Sequence, residues 1–315
     1  MVGKVTDNCK LSASLVPAIM GYDKWRTPND ALALVKSHID GTATPWEGNE
    51  ATEWGNRLEP VIVKELAKRL KIKDYNDQID YAVKHGTLEV EGSQDAEALG
   101  QGQIIRTDPE NGIFCMGTDQ IELSGPGPLE VKTTSYRPED SPDLGRGPLQ
   151  LTTQMMCGNA TWGALGILYQ GITLRCFVFV PHEKTIKAIT DAVNDFDSRL
   201  RSDPTRWYSI ENSADALLIF GEGDDETPKP LDPSFAKLAE EYLALRAVIK
   251  EGEEAIKVIN AKVQSEMGNH TTASSGGYEF KWPVRHFKAQ PEKVVPAKEA
   301  SSKRQSTITV KEMKK

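Results

Sequence analysis

Cysteine is scarce and scattered. Cys9, Cys115, Cys157 and Cys176 form no CxxC pair, which argues against a zinc ribbon and against a disulfide scaffold. His38, His85, His182, His270 and His286 stand at no metal-ligand spacing, so a histidine-built centre or a catalytic histidine is not expected. No apolar run approaches the roughly 18 residues of a membrane helix; the longest, around Cys176–Val180, is strand-sized. The opening Met1-Val-Gly-Lys-Val-Thr-Asp-Asn8 lacks the apolar stretch of a signal peptide. A reduced, cytoplasmic protein with no membrane attachment is the expectation. Neither GxxxxGK[ST] nor GxGxxG occurs, so an ATP-driven or nicotinamide-dependent enzyme would lack its phosphate loop.

What is present suits a globular chain: 315 residues, 38% hydrophobic and 27% charged, enough to bury a core. The net charge of −8 has the wrong sign for a protein that coats nucleic acid. It is unevenly spread, because Lys281 to Lys315 holds ten Lys or Arg against three Glu. An acidic body can still hold DNA in a locally basic channel.

The first sixty residues read as helices punctuated by Pro and Gly. Ser14 through Met20 is short and apolar and stops at Gly21, and Thr27-Pro28 caps a helix over Ala31–Ile39. Trp54, Leu58, Val61, Ile62, Leu66 and Leu70 recur at three- and four-residue steps, predicting a helix from about Ala51 to Leu70 with a kink or late start at Pro60. From Ile79 to Thr134 the pattern turns to strands, with Gly125-Pro-Gly-Pro128 as a turn and Leu129–Thr134 as the strand after it. A helix over Leu149–Gly158 follows. Strands Gly163–Leu168 and Thr173–Val180 flank a Gln170-Gly171 turn, and an amphipathic helix covers His182–Leu200. This order predicts an α/β fold around a mixed sheet. The expected domains are a core over 1–220, a polar Pro/Gly-rich linker over 221–233, and a C-terminal helical segment with a basic β tail over 234–315. In that last segment Phe235, Leu238, Tyr242, Leu245, Ile249, Ile256, Ile259 and Val263 keep a 3–4 spacing, with Gly252 in the slot where a bend is expected. Short strands are expected at Tyr278–Trp282 and Ser306–Lys311.

The chemistry concentrates in Gly117-Thr-Asp119 and Glu130-Val-Lys132. Side chains alternate along a strand, so Glu130 and Lys132 share a face. If the Gly-Pro turn closes a hairpin, Asp119 lies opposite them. Two carboxylates and a lysine on one face suit a hard divalent cation and an oriented water. A surface hairpin with an ordinary cross-strand ion pair has the same sequence. Gln150 and Gln154 lie one turn apart on the following helix, in reach of the site or of a nucleic-acid backbone, and Ser14 suits a phosphate contact or a helix cap. The Lys64, Lys68, Arg69, Lys71, Lys73 cluster is read as a solvated face or a phosphate contact. The Tyr278–Lys288 aromatic and basic stretch is read as a single-strand platform or a plain strand.

Taken in order, four segments resemble the YqaJ-type viral recombinases, relatives of lambda exonuclease with the PD-(D/E)xK nuclease core. They are Leu11-Ser-Ala-Ser14 with Ile19-Met-Gly21, then Glu53-Trp-Gly-Asn-Arg-Leu-Glu59-Pro60, then Asp119 with Glu130-Val-Lys132, then Gln150-Leu-Thr-Thr-Gln154. The resemblance spans about residues 10–200. It implies a PD-(D/E)xK core, a mixed central sheet flanked by helices, carrying a C-terminal helical and β-hairpin extension. It implies a Mg²⁺-dependent DNA exonuclease, with Mn²⁺ able to substitute, that degrades duplex ends processively from 5′ to 3′ and leaves single strands for annealing in a bacterial or phage-infected cell. The alternatives are a single-strand-directed nuclease and a non-catalytic DNA-end-binding module. By the same resemblance Glu59, Asp119, Glu130 and the Val131 backbone carbonyl would hold metal, Lys132 would serve the attacking water, and Ser14, Gln150 and Gln154 would touch DNA. A single-strand annealing protein and a ring-forming trimer or tetramer are the implied partners. Three places depart from the pattern: Thr152 stands where the family's Gln helix usually reads Q-x-Q, and two more differ from the lambda-type enzymes. Asp7, with Lys10 nearby, stands where those enzymes have an Arg before the first Ser motif, and Gly117 stands where they have a Ser two residues before the motif Asp.

Overall fold

The computed structural model describes residues 6–44, 48–221 and 227–284. Two compact units divide the chain, Met1–Ile219 and Phe220–Lys315.

The first unit opens with β1 (Leu11–Ser12) and the short helix α1 (Val16–Ile19), ended at Gly21 with φ +75°. Helix α2 (Pro28–Ile39) starts on a complete capping box between Thr27 and Asp30. Helix α3 (Glu50–Arg69) is capped by Asn49 and runs unbroken through Pro60. Strands β2 (Asp74–Asn76), β3 (Val83–Lys84), β4 (Val90–Gly92), β5 (Ala96–Arg106), β6 (Ile113–Cys115) and β7 (Gln120–Thr134) follow. Then come α4 (Pro148–Gly158), the hairpin β8 (Gly163–Tyr169) and β9 (Thr173–Phe179), α5 (Glu183–Leu200) and α6 (Ser213–Phe220).

The main sheet has the order β2-β5-β7-β8-β9-β6. β7 runs antiparallel to β5 and parallel to β8, which makes the sheet mixed and puts β7 near its middle. A small sheet, β1-β4-β3, lies apart from it. Alternation explains why β8 and β9 are apolar throughout. Ala164, Cys176 and Val178 join a core with Ile62, Leu66 and Leu70 of α3, whereas Leu165, Ile167 and Phe177 join one with Leu151 and Met155 of α4. A strand covered by helices on both faces needs apolar residues at every position. Along α3 the buried line is Ile62, Leu66 and Leu70; Trp54 and Val61, expected on the apolar face, are more than half exposed. A third core gathers α1, α2 and α5 around Val16, Leu32, Val193 and Phe196.

The expected turn at Gly125–Pro128 is not a turn. β7 passes straight through it, paired residue by residue with β5: Gly100 with Gly125, Leu99 with Pro126, Ala98 with Gly127, Glu97 with Pro128. Local turn chemistry yields to pairing and close packing here. A Cβ on Gly100 would stand 2.5 Å from the Leu123 backbone, and one on Gly127 2.5 Å from the Trp162 ring. The prolines are tolerated because β8 joins β7 only from Leu129 onward, so that side of the strand needs no N–H from Pro126 or Pro128. The true connection between β5 and β7 spans Thr107–Asp119 and contains β6.

The second unit consists of α7 (Phe235–Met267), continuous through Gly252, and the antiparallel pair β10 (Thr272–Ser275) and β11 (Tyr278–Lys281). The strand expected at Ser306–Lys311, and the basic tail beyond residue 284, lie outside the described residues. Among the described residues no helix is long and apolar enough to cross a membrane.

Gly127→Ala tests the close approach of Trp162, whose side chain is fully buried. The added methyl should destabilise the fold by about 1–3 kcal/mol, read as a lower urea midpoint at unchanged slope.

Candidate active site

Glu130 sits on β7 where that strand has neighbours on both sides, and it is 1% exposed. A carboxylate so deeply placed needs a partner for each oxygen. Lys132, two residues along on the same face, donates from Nζ to Glu130 Oε1. Gln154 of α4 donates from Nε2 to Glu130 Oε2 at 2.6 Å, and from the same nitrogen to the Ser93 carbonyl at 2.6 Å. Gln154 is itself fully buried, with its Oε1 unpartnered.

Asp95 immediately precedes β5, and its neighbour Ala96 pairs with Leu129. That register sets the Asp95 carboxylate beside Glu130, where Oδ2 accepts the Val131 N–H at 2.7 Å. N–H and C=O of one strand residue face the same edge. Val131 therefore turns its carbonyl toward the Asp95 side, where β5 has not yet begun. Burial and the neighbouring Glu130 charge push the Asp95 carboxyl well above the usual range, against the opposing pull of Lys132. Glu59, near the middle of α3, is raised first by burial and then by Glu130, and Lys132 again opposes. Burial disfavours the Lys132 ammonium, yet the surrounding Glu130, Asp95 and Glu59 charges outweigh it and raise its pKa.

These groups line a cleft of about 540 Å³ together with Ser14, Asn56, Asp77 and Gln150. The Asn56 carbonyl is the one left without its helical donor by Pro60, four residues on. Glu59, Glu130, Lys132, Ser14 and Gln150 are thus brought to one place, as the sequence leads one to expect.

One expected residue is not. Asp119 is exposed at the far end of β7, eleven residues from Glu130, which at about 3.3 Å per residue is on the order of 30 Å away. The reason is the absent turn: with residues 120–134 forming a single strand, 119 cannot fold back onto 130. Asp95 occupies the acidic position instead. The signal was present in Ser93-Gln-Asp95, a Ser two residues before an Asp, the feature missing at Gly117. A 35-residue separation from Glu130, filled by the long β5–β7 excursion, hid it. Gln154, expected to touch the site or the DNA backbone, touches the site, sealed beneath Glu130. In the basic cluster, Arg69 is spent on Glu65 and on the Asn111 and Leu174 carbonyls, and Lys68 on Glu65.

Glu59, Asp95 and Glu130 are hard oxygen donors of the kind that hold Mg²⁺ or Mn²⁺. Among the described residues no three His, Cys, Asp or Glu side chains are already arranged as a metal cage. The Lys132 ammonium supplies the positive charge here, drawn down onto Glu130. The donor set and its excess negative charge fit a divalent cation, which would compete with that ammonium for Glu130.

Replacing Gln154 by Leu keeps most of the volume but leaves a buried carboxylate oxygen and the Ser93 carbonyl without their donor. Loss of a hydrogen bond to a charged group costs about 1.5–3 kcal/mol. Gln154→Leu should lower the urea unfolding free energy by that amount, and Gln150→Leu, at the cleft surface, by much less.

No curated protein matches the sequence. Similar solved structures include LHK-Exo in complex with dAMP, at 17% identity and TM-score 0.44, covering 62% of this chain and 90% of that one. The alkaline exonuclease LHK-Exo from Laribacter hongkongensis is similar at 18% identity and TM-score 0.45, with 62% and 90% covered. A phage related exonuclease from Haemophilus somnus is similar at 12% identity and TM-score 0.35, with 60% and 92% covered. A family model described as the YqaJ-like viral recombinase domain matches residues 7–156. The segment that contributes Glu59, Asp95, Glu130, Lys132 and Gln154 lies wholly within the stretch similar to the YqaJ-like viral recombinase domain.

Proposed function

We propose that this protein is a metal-dependent DNA exonuclease that degrades linear duplex DNA processively from 5′ to 3′. The single strands it leaves would serve recombination by annealing. One observation carries the reading: Glu59, Asp95, Glu130 and Lys132, from three elements distant in sequence, converge on one cleft. Glu59, Asp95, Glu130 and the Val131 carbonyl would hold Mg²⁺, with Mn²⁺ as substitute. The metal, once bound, supplies Lewis-acid stabilisation of the scissile phosphate and an acidified water.

The chain's own groups do the rest. Gln154 and the Val131 N–H fix the two central carboxylates, so that their oxygens need not reorganise when substrate arrives. Lys132 is one-third exposed toward the cleft. Released from Glu130, its Nζ donates to the attacking water or to the charge growing on phosphorus. Ser14 and Gln150, at the cleft surface, are the candidate contacts to the DNA backbone. A ring-forming trimer or tetramer and a single-strand annealing protein belong to the same proposal.

The test is end-labelled duplex DNA with and without Mg²⁺. Asp95→Ala should abolish cleavage whereas Asp119→Ala should keep it. Lys132→Ala should slow cleavage by about 10²–10³ while Mn²⁺ and DNA still bind. Equal loss from Asp95→Ala and Asp119→Ala would overturn the assignment. Absent cleavage by the wild type would leave a DNA-end-binding module as the better reading, and metal-independent cleavage would overturn the metal-dependent one. Comparing 5′-phosphorylated, 5′-hydroxyl and 3′-labelled ends decides polarity.

A further inference from the structure

Helix α7 presents an apolar stripe to solvent. Leu238, Leu245, Ile249, Ile256 and Ile259 are each at least half exposed, although their 3–4 spacing is that of a coiled-coil seam. Apolar residues repeated this regularly over four heptads call for a second helix.

Which helix is decided by charge and by Gly252. In the heptad frame set by the stripe, Glu241 and Lys262 fall on one flank and Arg246 and Glu253 on the other. Consider an antiparallel copy of α7 set so that Ile249 faces the partner's Gly252. Leu245 then meets the partner's Ile256, Leu238 meets the partner's Val263, and Tyr242 meets the partner's Ile259. The same register sets Glu241 against the partner's Lys262 and Arg246 against the partner's Glu253, and two-fold symmetry repeats both pairs. All four charged flanking contacts join opposite charges. Among the described residues none of these four side chains is held in an ion pair.

A parallel copy does worse on both counts. Gly252 would face Gly252, leaving a gap at the centre of the seam, because neither residue has a side chain to fill it. Only Glu241 with the partner's Arg246 would join opposite charges, while Glu253 would lie beside Val248 and Lys262 beside Met267. The antiparallel register fills the gap with Ile249, so the glycine becomes a socket for a branched side chain.

We propose that α7 pairs antiparallel with α7 of a second copy of this chain, in the register that seats Ile249 on Gly252. Such a contact is isologous and closes on itself. It joins copies two at a time and is independent of whether the first unit is a nuclease.

The experiment uses the full chain with the exposed Cys9 changed to Ser. Leu245→Cys and Ile256→Cys proteins are oxidised separately and as a mixture. The mixture should give a disulfide-linked dimer while neither protein alone does. Cross-linking of each protein alone would establish the parallel arrangement and overturn the proposal. Absence of any interchain cross-link would also overturn it, leaving the same chain or a different protein as the occupant. In sedimentation equilibrium, Ile249→Asp with Ile256→Asp should halve the wild-type mass with the helical circular dichroism kept. Lys262→Glu should weaken association, and Glu241→Lys with Lys262→Glu should restore it. An unchanged mass in the double-Asp variant, or no recovery in the charge swap, would count against the pairing.

Discussion

The structure around the cleft depends on satisfying both oxygens of one deeply buried carboxylate. Glu130 stands in the middle strand of the main sheet with helices on both faces, where an isolated charge would be prohibitively costly. Its survival there requires Lys132 from its own strand and Gln154 from α4. That requirement constrains much else. Helix α4 must lie with Gln154 inward, which in turn sends Leu151 and Met155 onto β8 and β9. The Ser93 carbonyl shares the Gln154 amide, so the segment leading into β5 is fixed to the same point and delivers Asp95 beside it.

The crowding of negative charge is the counterpart of that order. Asp95 and Glu59 are both pushed toward their neutral forms by burial and by Glu130, and a single lysine balances three acids. Packing of α3 across β7 and β8 holds Glu59 near its neighbours despite their repulsion. The hydrophobic contacts of the sheet thus sustain an electrostatic arrangement that the acidic groups would not adopt by themselves.

Much of this was legible from residues alone, wherever local chemistry and tertiary demand agree. The Thr27-Pro28 start of α2, the Gln170-Gly171 turn of the β8–β9 hairpin and the Glu130-Val-Lys132 alternation are each dictated within a few residues. Gly125-Pro-Gly-Pro128 went the other way because Gly127 packs against Trp162 and the segment pairs residue by residue with β5 rather than reversing the chain. Once that segment is read as a turn, the nearest upstream acid, Asp119, is drawn into the site by default. Asp95 becomes visible only when β5 and β7 are paired, a contact between residues 35 positions apart. Gln154 shows the same limit. Its helical face was predictable, but whether that face meets solvent or a buried carboxylate is set by how α4 docks.

The two prolines of β7 carry a further consequence. From Gln120 to Pro128 this strand runs ahead of β8, so one of its edges has no partner strand. An open edge near the centre of a sheet is a template onto which another chain can add. Pro126 and Pro128 remove two donors from that edge, and the Thr161 hydroxyl and Trp162 indole cap the Ser124 and Gly125 carbonyls beside them. The segment that looks like a turn in the sequence therefore works as a stop: it lets β7 extend as far as its pairing with β5 needs while denying aggregating strands a place to start.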